Sequence, residues 1–445
     1  MKRLYNSTRT LRHIFTLLLF LSTIPTFPSP RLFANLQSAE PPAAHLDSVQ
    51  VTGSQRYTSA QIASAVGLRV GQVVNRETLQ DAADKLAELG LFSNTQYRFT
   101  TVATGVQVTY QVTDAPLLPV TFDNFPWVSD EDLSAGLKSA GILFDGSAPA
   151  KGAILDAMSA ALVRILDQRG IHVSVVHEVI TLPVEDQMVQ QFRVDDANLT
   201  VQSIEFNDPL AKNERGIQER LPDLVGKPYS RSRVELFEFE QVRPVYLAHA
   251  FLQVRFGPTS AQFAAKSPDS LSGPVIVSAP IIVGVAYQWG GVTWHGNASI
   301  PSADLDQLVD LKPGEPADGN KIQDTWQRVR AAYGQAGFLD AAVDHEPQFD
   351  DKSARVIYSA TITEGPQYHM GNLVLTGLSL EGERRIRKAF PIAPDAVFNK
   401  TSYESFVDTG LKAAFAGLPV HYDKIGRFLQ EDQKGGKVDV MLDFQ

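Results

Sequence analysis

Cysteine is absent from the 445 residues, which excludes disulfides, thiolate nucleophiles, Cys-ligated zinc, iron–sulfur clusters and a cysteine-linked lipid anchor. Histidine is scarce. The nine histidines (positions 13, 45, 172, 177, 249, 295, 345, 369 and 421) show no H-E-x-x-H or other paired spacing. His172 and His177 are expected on one strand at an odd separation, which turns them to opposite faces. There is no G-x-S-x-G elbow. The nearest approach to a phosphate loop, Gly226-Lys227, runs into Pro228 and lacks the upstream glycine. Asp195-Asp196 and Asp350-Asp351 lack the calcium-loop pattern and read as turns. The expectation is a protein without catalytic, cofactor-binding or metal-binding residues, not an enzyme.

Long hydrophobic runs are missing too. Beyond residue 34 no stretch approaches 18 consecutive apolar residues, so no transmembrane helix is expected downstream. Before it, Lys2, Arg3, Arg9 and Arg12 precede an apolar run from Ile14 to Ile24, followed by Pro25, Pro28 and Pro30. As a helix that run rises only about 16 Å, half a bilayer core, so residues 1–34 read as a secretory signal peptide. Cleavage would remove five basic residues and no acidic one, leaving 35 basic against 50 acidic residues and a net charge of −15. A body so acidic repels polyphosphate chains, which argues against nucleic acid as a partner. Hydrophobic residues at 44% and charged residues at 20% are those of ordinary globular protein. The length allows roughly three to five domains.

A repeat organises the rest. Gly90-Leu91-Phe92, Gly170-Ile171-His172, Gly337-Phe338-Leu339 and Gly417-Leu418-Pro419 lie 80, 167 and 80 residues apart, and the long middle gap holds a degraded signal at Ala250-Phe251. A period near 80 residues is too long for a solenoid and fits a string of small domains. Each unit opens with an alternating strand: Val49 and Val51, Val120 and Phe122, Ile204 and Phe206, Val292 and Trp294, Leu373 and Leu375. A turn follows at Gly53, Asn124, Asn207, Gly296-Asn297 and Gly377, residues that tolerate positive φ. Thr58, Ser129, Ser302 and Ser379 are placed as N-caps of a short first helix. A second helix is marked by Leu79, Ala82, Ala83, Leu86 and Leu89, by Ile154, Met158, Leu162 and Ile165, and by Ile322, Trp326, Val329 and Tyr333. A hairpin closes each unit, for example Gln96 to Thr101 with Val106 to Val112.

This β-α-α-β-β order resembles the POTRA (polypeptide-transport-associated) domain found ahead of the barrel in bacterial outer-membrane assembly factors of the BamA and TamA type. Val49-Gln50-Val51-Thr52-Gly53, Gly67-Leu68-Arg69-Val70-Gly71, Leu86 to Phe92 and a last strand running into Thr113-Asp114-Ala115-Pro116 look like the whole module in order. Glu364-Gly365-Pro366 leading into Gly371-Asn372-Leu373 is similar to the joints of tandem POTRA arrays. The fold expected is α+β, a tandem array of about five POTRA domains, each a three-stranded mixed sheet packed on two helices. The expected divisions are 1–34 signal peptide, 45–116, 117–197 (decorated by Asn124-Phe125-Pro126-Trp127), 198–287 (divergent, with Pro244 in its second helix and a Ser/Ala/Pro-rich stretch from Gly257 to Pro274), 288–366 and 367–445. No barrel follows Gln445, so a barrel is expected to come from another chain.

The resemblance implies a periplasmic protein associated with the outer membrane. Its expected partners are a barrel protein and unfolded outer-membrane protein clients, held by strand addition to open sheet edges. The candidate edges are the second strands, marked by Tyr97 and Phe99, Val173 and Val175, and Val254 and Phe256. For these apolar side chains the simpler reading is that they fill their own cores. The alternative function is a passive spacer or scaffold in the cell envelope. The joints Asp114 to Leu118, Asp195 to Thr200 and Thr363 to His369 are short, so neighbouring units are expected to be restrained.

Overall fold

The computed structural model of the chain describes residues 44–182, 187–265, 271–417 and 422–445. The signal-peptide reading of residues 1–34 lies outside these, as do Leu418-Pro419 and His421. The described residues form five consecutive units, each a small sheet with its own helices, the third with an added two-stranded ribbon.

The first unit sets the plan. Strand β1 (Ala44–Thr52) leads to helix α1 (Ser59–Ala65), a two-residue strand β2 (Val73–Val74), helix α2 (Arg76–Glu88) and the hairpin β3 (Phe92–Val102) and β4 (Gly105–Asp114). The sheet order is β2-β1-β4-β3, with β1 parallel to β4 and β3 antiparallel to it. Local chemistry starts both helices. Thr58 and Gln61 form a reciprocal capping box, and Asn75 and Thr78 form another. The helical spacing of Leu79, Ala82, Ala83 and Leu86 then lays one face on the sheet. Leu79 and Leu86 are at most 1% exposed, and burying each stabilises the unit by about 2 kcal/mol.

The second unit repeats this with β5 (Leu118–Phe122), α3 (Asp130–Ser139), β6 (Ser147–Ala148), α4 (Ala153–Asp167), β7 (Val175–Leu182) and β8 (Gln187–Val194), in the order β6-β5-β8-β7. The third is more broken. It runs β9 (Asn198–Phe206), α5 (Pro209–Asn213), α6 (Arg215–Gln218), α7 (Arg231–Phe237), a π-helical turn at Glu238–Val242 and α8 (Arg243–Ala248). Strands β10 (Arg255–Phe256), β11 (Ser260–Phe263), β12 (Ser272–Ala279) and β13 (Ile281–Ile282) follow. They split into a sheet β11-β12-β9 and a ribbon β10-β13. The fourth unit has β14 (Gln288–His295), α9 (Ser302–Asp306), α10 (Gly319–Gln335), β15 (Ala342–Asp350) and β16 (Arg355–Thr363), in the order β14-β16-β15. The fifth has β17 (His369–Thr376), α11 (Leu380–Ala389), α12 (Lys400–Ser405), a π turn at Phe406–Gly410, α13 (Leu411–Ala414), β18 (Ile425–Asp432) and β19 (Lys437–Phe444), in the order β17-β19-β18.

These are tandem small mixed sheets with helices, as expected, with one refinement: the first two sheets gain a short fourth strand from the connection between the helices. In the other three units the same connection makes a single bridge, Thr200 with Pro228, Gln288 with Pro316 and His369 with Val397.

The turn after the first strand is solved in two ways. At Gly53, Gly296 and Gly377 φ is positive, and a Cβ would lie 2.0, 2.2 and 1.9 Å from the carbonyl oxygens of Val112, Ile362 and Phe444 at the end of the last strand. Only glycine lets the chain approach so closely. Asn124 and Asn207 do not adopt positive φ, contrary to expectation. Their amides instead bind the last strand in both directions: Asn124 Nδ2 donates to Val194 O at 3.0 Å while Val194 N donates to Asn124 Oδ1 at 2.7 Å. Asn207 does the same with Ile281, at 3.2 and 2.7 Å. Side-chain amides thus replace a backbone contact.

The turn closing the second helix keeps its backbone where its residue changes. Gly90, Gly170, Gly337 and Gly417 have φ between +78° and +87°. Ala250 has φ +64°, so the degraded signal of the third unit marks the same left-handed turn made by a residue with a Cβ. Two smaller expectations fail. Ser302 is the first residue of α9, whose N-cap is Pro301, because the Ser302 hydroxyl is already engaged by Asn297 Nδ2 at 3.1 Å. His172 precedes β7 and binds Asp167 at 2.9 Å, so only His177 sits on that strand.

Candidate functional site

Among the described residues, each unit leaves one side of its sheet unpaired. The first strand lies between the last strand and the connection between the helices, through β2, β6 or a bridge. The second strand has a neighbour on one side only: β3, β7, β11, β15 and β18 are all terminal in their sheets. Their outward N–H and C=O groups are a template for an added strand.

The edges differ in how strongly they invite pairing. β15 contains Pro347, preceded by the exposed Asp344 and Glu346. Proline offers no donor, and charges on an edge discourage association. β3, β7 and β18 instead carry exposed apolar side chains: Phe99 is 38% exposed, Val179 40% and Phe428 58%. β11, Ser-Ala-Gln-Phe, has neither charge nor proline.

The residues expected on the edges are distributed unevenly. Tyr97 and Phe99 are on β3; Tyr97 packs against the core with its ring 5.8 Å from that of Tyr110, while Phe99 is largely exposed. Val175 opens β7 but is buried, and Val173 lies before the strand against the core. Val254 and Phe256 are not on the edge of the third main sheet. Val254 is buried in the core of its unit, and Phe256 belongs to β10, paired with β13. Gly257 N donates to Pro280 O at 2.7 Å and Pro258 breaks the ladder, so the edge strand starts only at Ser260. The period-2 alternation of Ser260 to Phe263 was the available signal.

Sequence reasoning also missed what joins the units. Units one and two share a continuous apolar core. At their joint Arg56 pairs with Asp145 at 2.9 Å, and Tyr57 donates to Leu143 O at 3.2 Å. Burial pushes the Tyr57 hydroxyl up to about 12, so it stays a donor. Units two and three meet through Asp130 with Arg231, Asp123 with Ser230, and the rings of Trp127 and Phe263 at 5.6 Å. Beside them lies a cavity of about 470 Å³ whose walls include Trp127, Asp130, Tyr229, Arg231 and Ser260.

The last two joints repeat one another. Tyr287 N donates to Ala250 O at 3.0 Å, and Tyr368 N to Gly337 O at 2.8 Å, each tying a first strand to the turn that closes the preceding unit's second helix. The Tyr287 and Tyr368 hydroxyls donate to Asp351 at 2.5 Å and Asp340 at 2.8 Å. Burial first, and then these carboxylates, push both hydroxyls up to about 12.

Among the described residues no group of three or more His, Asp or Glu side chains is placed to hold a metal ion, and no helix is long and apolar enough to cross a membrane.

The model of the POTRA family, described as a surface antigen variable number repeat, matches residues 44–115 and 287–365. A protein of Treponema pallidum (strain Nichols), named as a candidate outer membrane protein assembly factor, is 21% identical over 222 residues. That match covers 48% of this chain and 26% of the relative, so the chain spans about a quarter of the relative's length. POTRA domains 3–5 of Haemophilus influenzae BamA are 16% identical, with a TM-score of 0.41, over 56% of this chain and 96% of that one. POTRA domains 1–3 of Anabaena Omp85 are 15% identical, with a TM-score of 0.19, over 73% and 96%. The first and fourth units thus match the POTRA model by sequence, and the other units repeat the same order of elements.

Proposed function

We propose that this chain is a non-enzymatic periplasmic module of outer-membrane protein assembly or secretion. It holds unfolded outer-membrane protein clients, or partner subunits, by strand addition, and serves an outer-membrane barrel. The observation that carries this reading is the asymmetry of the sheets: one side is closed by the connection between the helices, and the other is left unpaired in every unit. Backbone pairing demands little of the client's sequence, which suits a protein that meets many unfolded chains. The name of the Treponema pallidum relative supports the same process.

The edges are not equivalent in this role. β3, β7, β11 and β18 take clients, and β15 is blunted by Pro347 and the acids Asp344 and Glu346 before it. Photoreactive residues placed in the exporting cell at Tyr97, Val179, Gln262 and Phe428 should capture unfolded outer-membrane proteins or a barrel protein, with weak capture at Gln348. Capture at none of the four, or capture only of peptidoglycan-associated or inner-membrane components, would remove client handling and leave a spacer.

A further inference from the structure

Glu238 is an acid inside an apolar core. It is 1% exposed, its Oε1 has no hydrogen-bond partner, and its Oε2 receives one long bond, 3.4 Å, from the hydroxyl of Thr259, itself 1% exposed. It also opens the π turn at 238–242, and π turns recur at functional positions. The fifth unit supplies an internal control. Its second helix has a π turn in the corresponding place, opened by Phe406, which is 5% exposed. The backbone feature therefore needs no carboxyl, and the acid in the third unit is an addition to it.

The surroundings keep Glu238 neutral. Burial, and after it the like charge of Glu235 one turn earlier, push its carboxyl up to about 8. Among the described residues no cation offsets this. Arg231 on the same helix is spent on Asp130, and Arg243 lies over the Phe239 ring at 5.5 Å. Glu240 is exposed. Arg215, on the α6 helix packed against the π turn, pairs with Glu219 in solvent. Glu205 of β9 is exposed between Ile204 and Phe206, and residues 257–259 bring no charge.

What Glu238 touches gives it reach. Thr259 lines the cavity between the second and third units, and the next residue, Ser260, begins the edge strand β11. The last residue of β11, Phe263, packs on Trp127 of the second unit. We propose that Glu238 is a proton-operated latch: neutral, it is tolerated in the closed core beside Thr259, and ionisation, whose burial cost the single Thr259 bond does not offset, unseats residues 257–259, freeing β11 and its contact with Trp127. A buried carboxylate with one long hydrogen bond is strongly disfavoured, so the segment yields to let water reach it.

The test uses the full chain labelled with 5-fluorotryptophan, the Trp127 resonance being assigned by its loss in Trp127→Phe. Fluorine spectra recorded from pH 6 to 9.5 should show the Trp127 signal titrating with a midpoint near 8, while those of Trp289, Trp294 and Trp326 stay still. Hydrogen-exchange protection of β11, corrected for intrinsic base catalysis, should fall about tenfold per pH unit as pH rises toward that midpoint and level off above it. Both responses should vanish in Glu238→Gln. Thr259→Val leaves the acid in place and removes its link, so it should lose the Trp127 titration as well. A Trp127 signal that does not move in the wild-type chain, or one that titrates unchanged in either variant, overturns the latch.

Discussion

Arg231 in the third unit and Asp130 in the second form a two-pronged ion pair across their joint, with Nη2 to Oδ1 at 2.9 Å and Nη1 on Oδ2. The arginine side chain is 14% exposed and the aspartate 35%, so the pair is shielded from solvent as surface pairs are not. Asp130→Ala strands the guanidinium and should cost about 2–3 kcal/mol of coupling between the two units. Arg231→Leu with Asp130→Leu should recover part of that loss. Denaturant unfolding of the single and double variants measures it, and equal losses in all three would mean the pair contributes nothing specific.

The two solutions of the first turn make opposite demands on substitution. Gly53→Ala, Gly296→Ala and Gly377→Ala each drive a Cβ to about 2 Å from a carbonyl oxygen, and each should destabilise its own unit by more than about 3 kcal/mol. Asn124→Gly accepts the conformation but loses two buried hydrogen bonds, and should cost about 2 kcal/mol. Site-resolved hydrogen exchange distinguishes the units. A neutral Asn124→Gly would show that the turn needs only a small residue.

Ala250 holds a left-handed backbone that costs a residue with a Cβ roughly 1–2 kcal/mol. Ala250→Gly relieves this, although it loosens the unfolded chain and removes a buried methyl. The net expectation is a gain of about 0.5–1 kcal/mol in the third unit, read as a rise in its melting temperature. A loss of stability would mean that the Ala250 methyl, packed in the core of the fourth unit, matters more than the strain.

Stability should depend on pH through Glu238. Its carboxyl titrates near 8 in the folded chain, against an ordinary value of 4.5. The folded state therefore binds the proton more tightly, and its stabilising contribution is complete below pH 4.5 and lost as pH rises through about 8. The third unit should lose up to about 1.4 kcal/mol per pH unit across that window. Glu238→Gln should be flat there and more stable than the wild-type chain at pH 8.5.

Much of this architecture is legible in the sequence because the units rest on local signals. Capping residues such as Thr58 and Ser379 and the helical spacing of Ile322, Trp326 and Val329 act within a few residues of themselves. What was not legible depends on contacts far apart in the chain. Asn124 makes its bonds with Val194, seventy residues away, so its type suggested a positive φ that it does not adopt. Ala250 hides a left-handed turn because tertiary packing imposes the conformation. The edge of the third unit was misplaced at Val254 and Phe256 because Pro280 and Ile281 capture that segment first. The candidate edges of the first two units follow from strand order alone, whereas the joints, the cavity and Glu238 appear only when the units are brought together.

Pro347 offers a gain-of-function test. Replacing it with valine restores a donor on the outer side of β15, the one edge strand that contains a proline. Pro347→Val should raise client capture at β15 toward the level of β3. No increase would mean that Asp344 and Glu346 alone protect that edge.

The most direct measurement is hydrogen exchange of the full chain with and without an unfolded outer-membrane protein segment. Strand addition predicts slowed exchange at alternate residues of β3, β7, β11 or β18, with their inner neighbours β4, β8, β12 and β19 unchanged. Slowing confined to helices, or no change on any terminal strand at saturating client, would contradict the account.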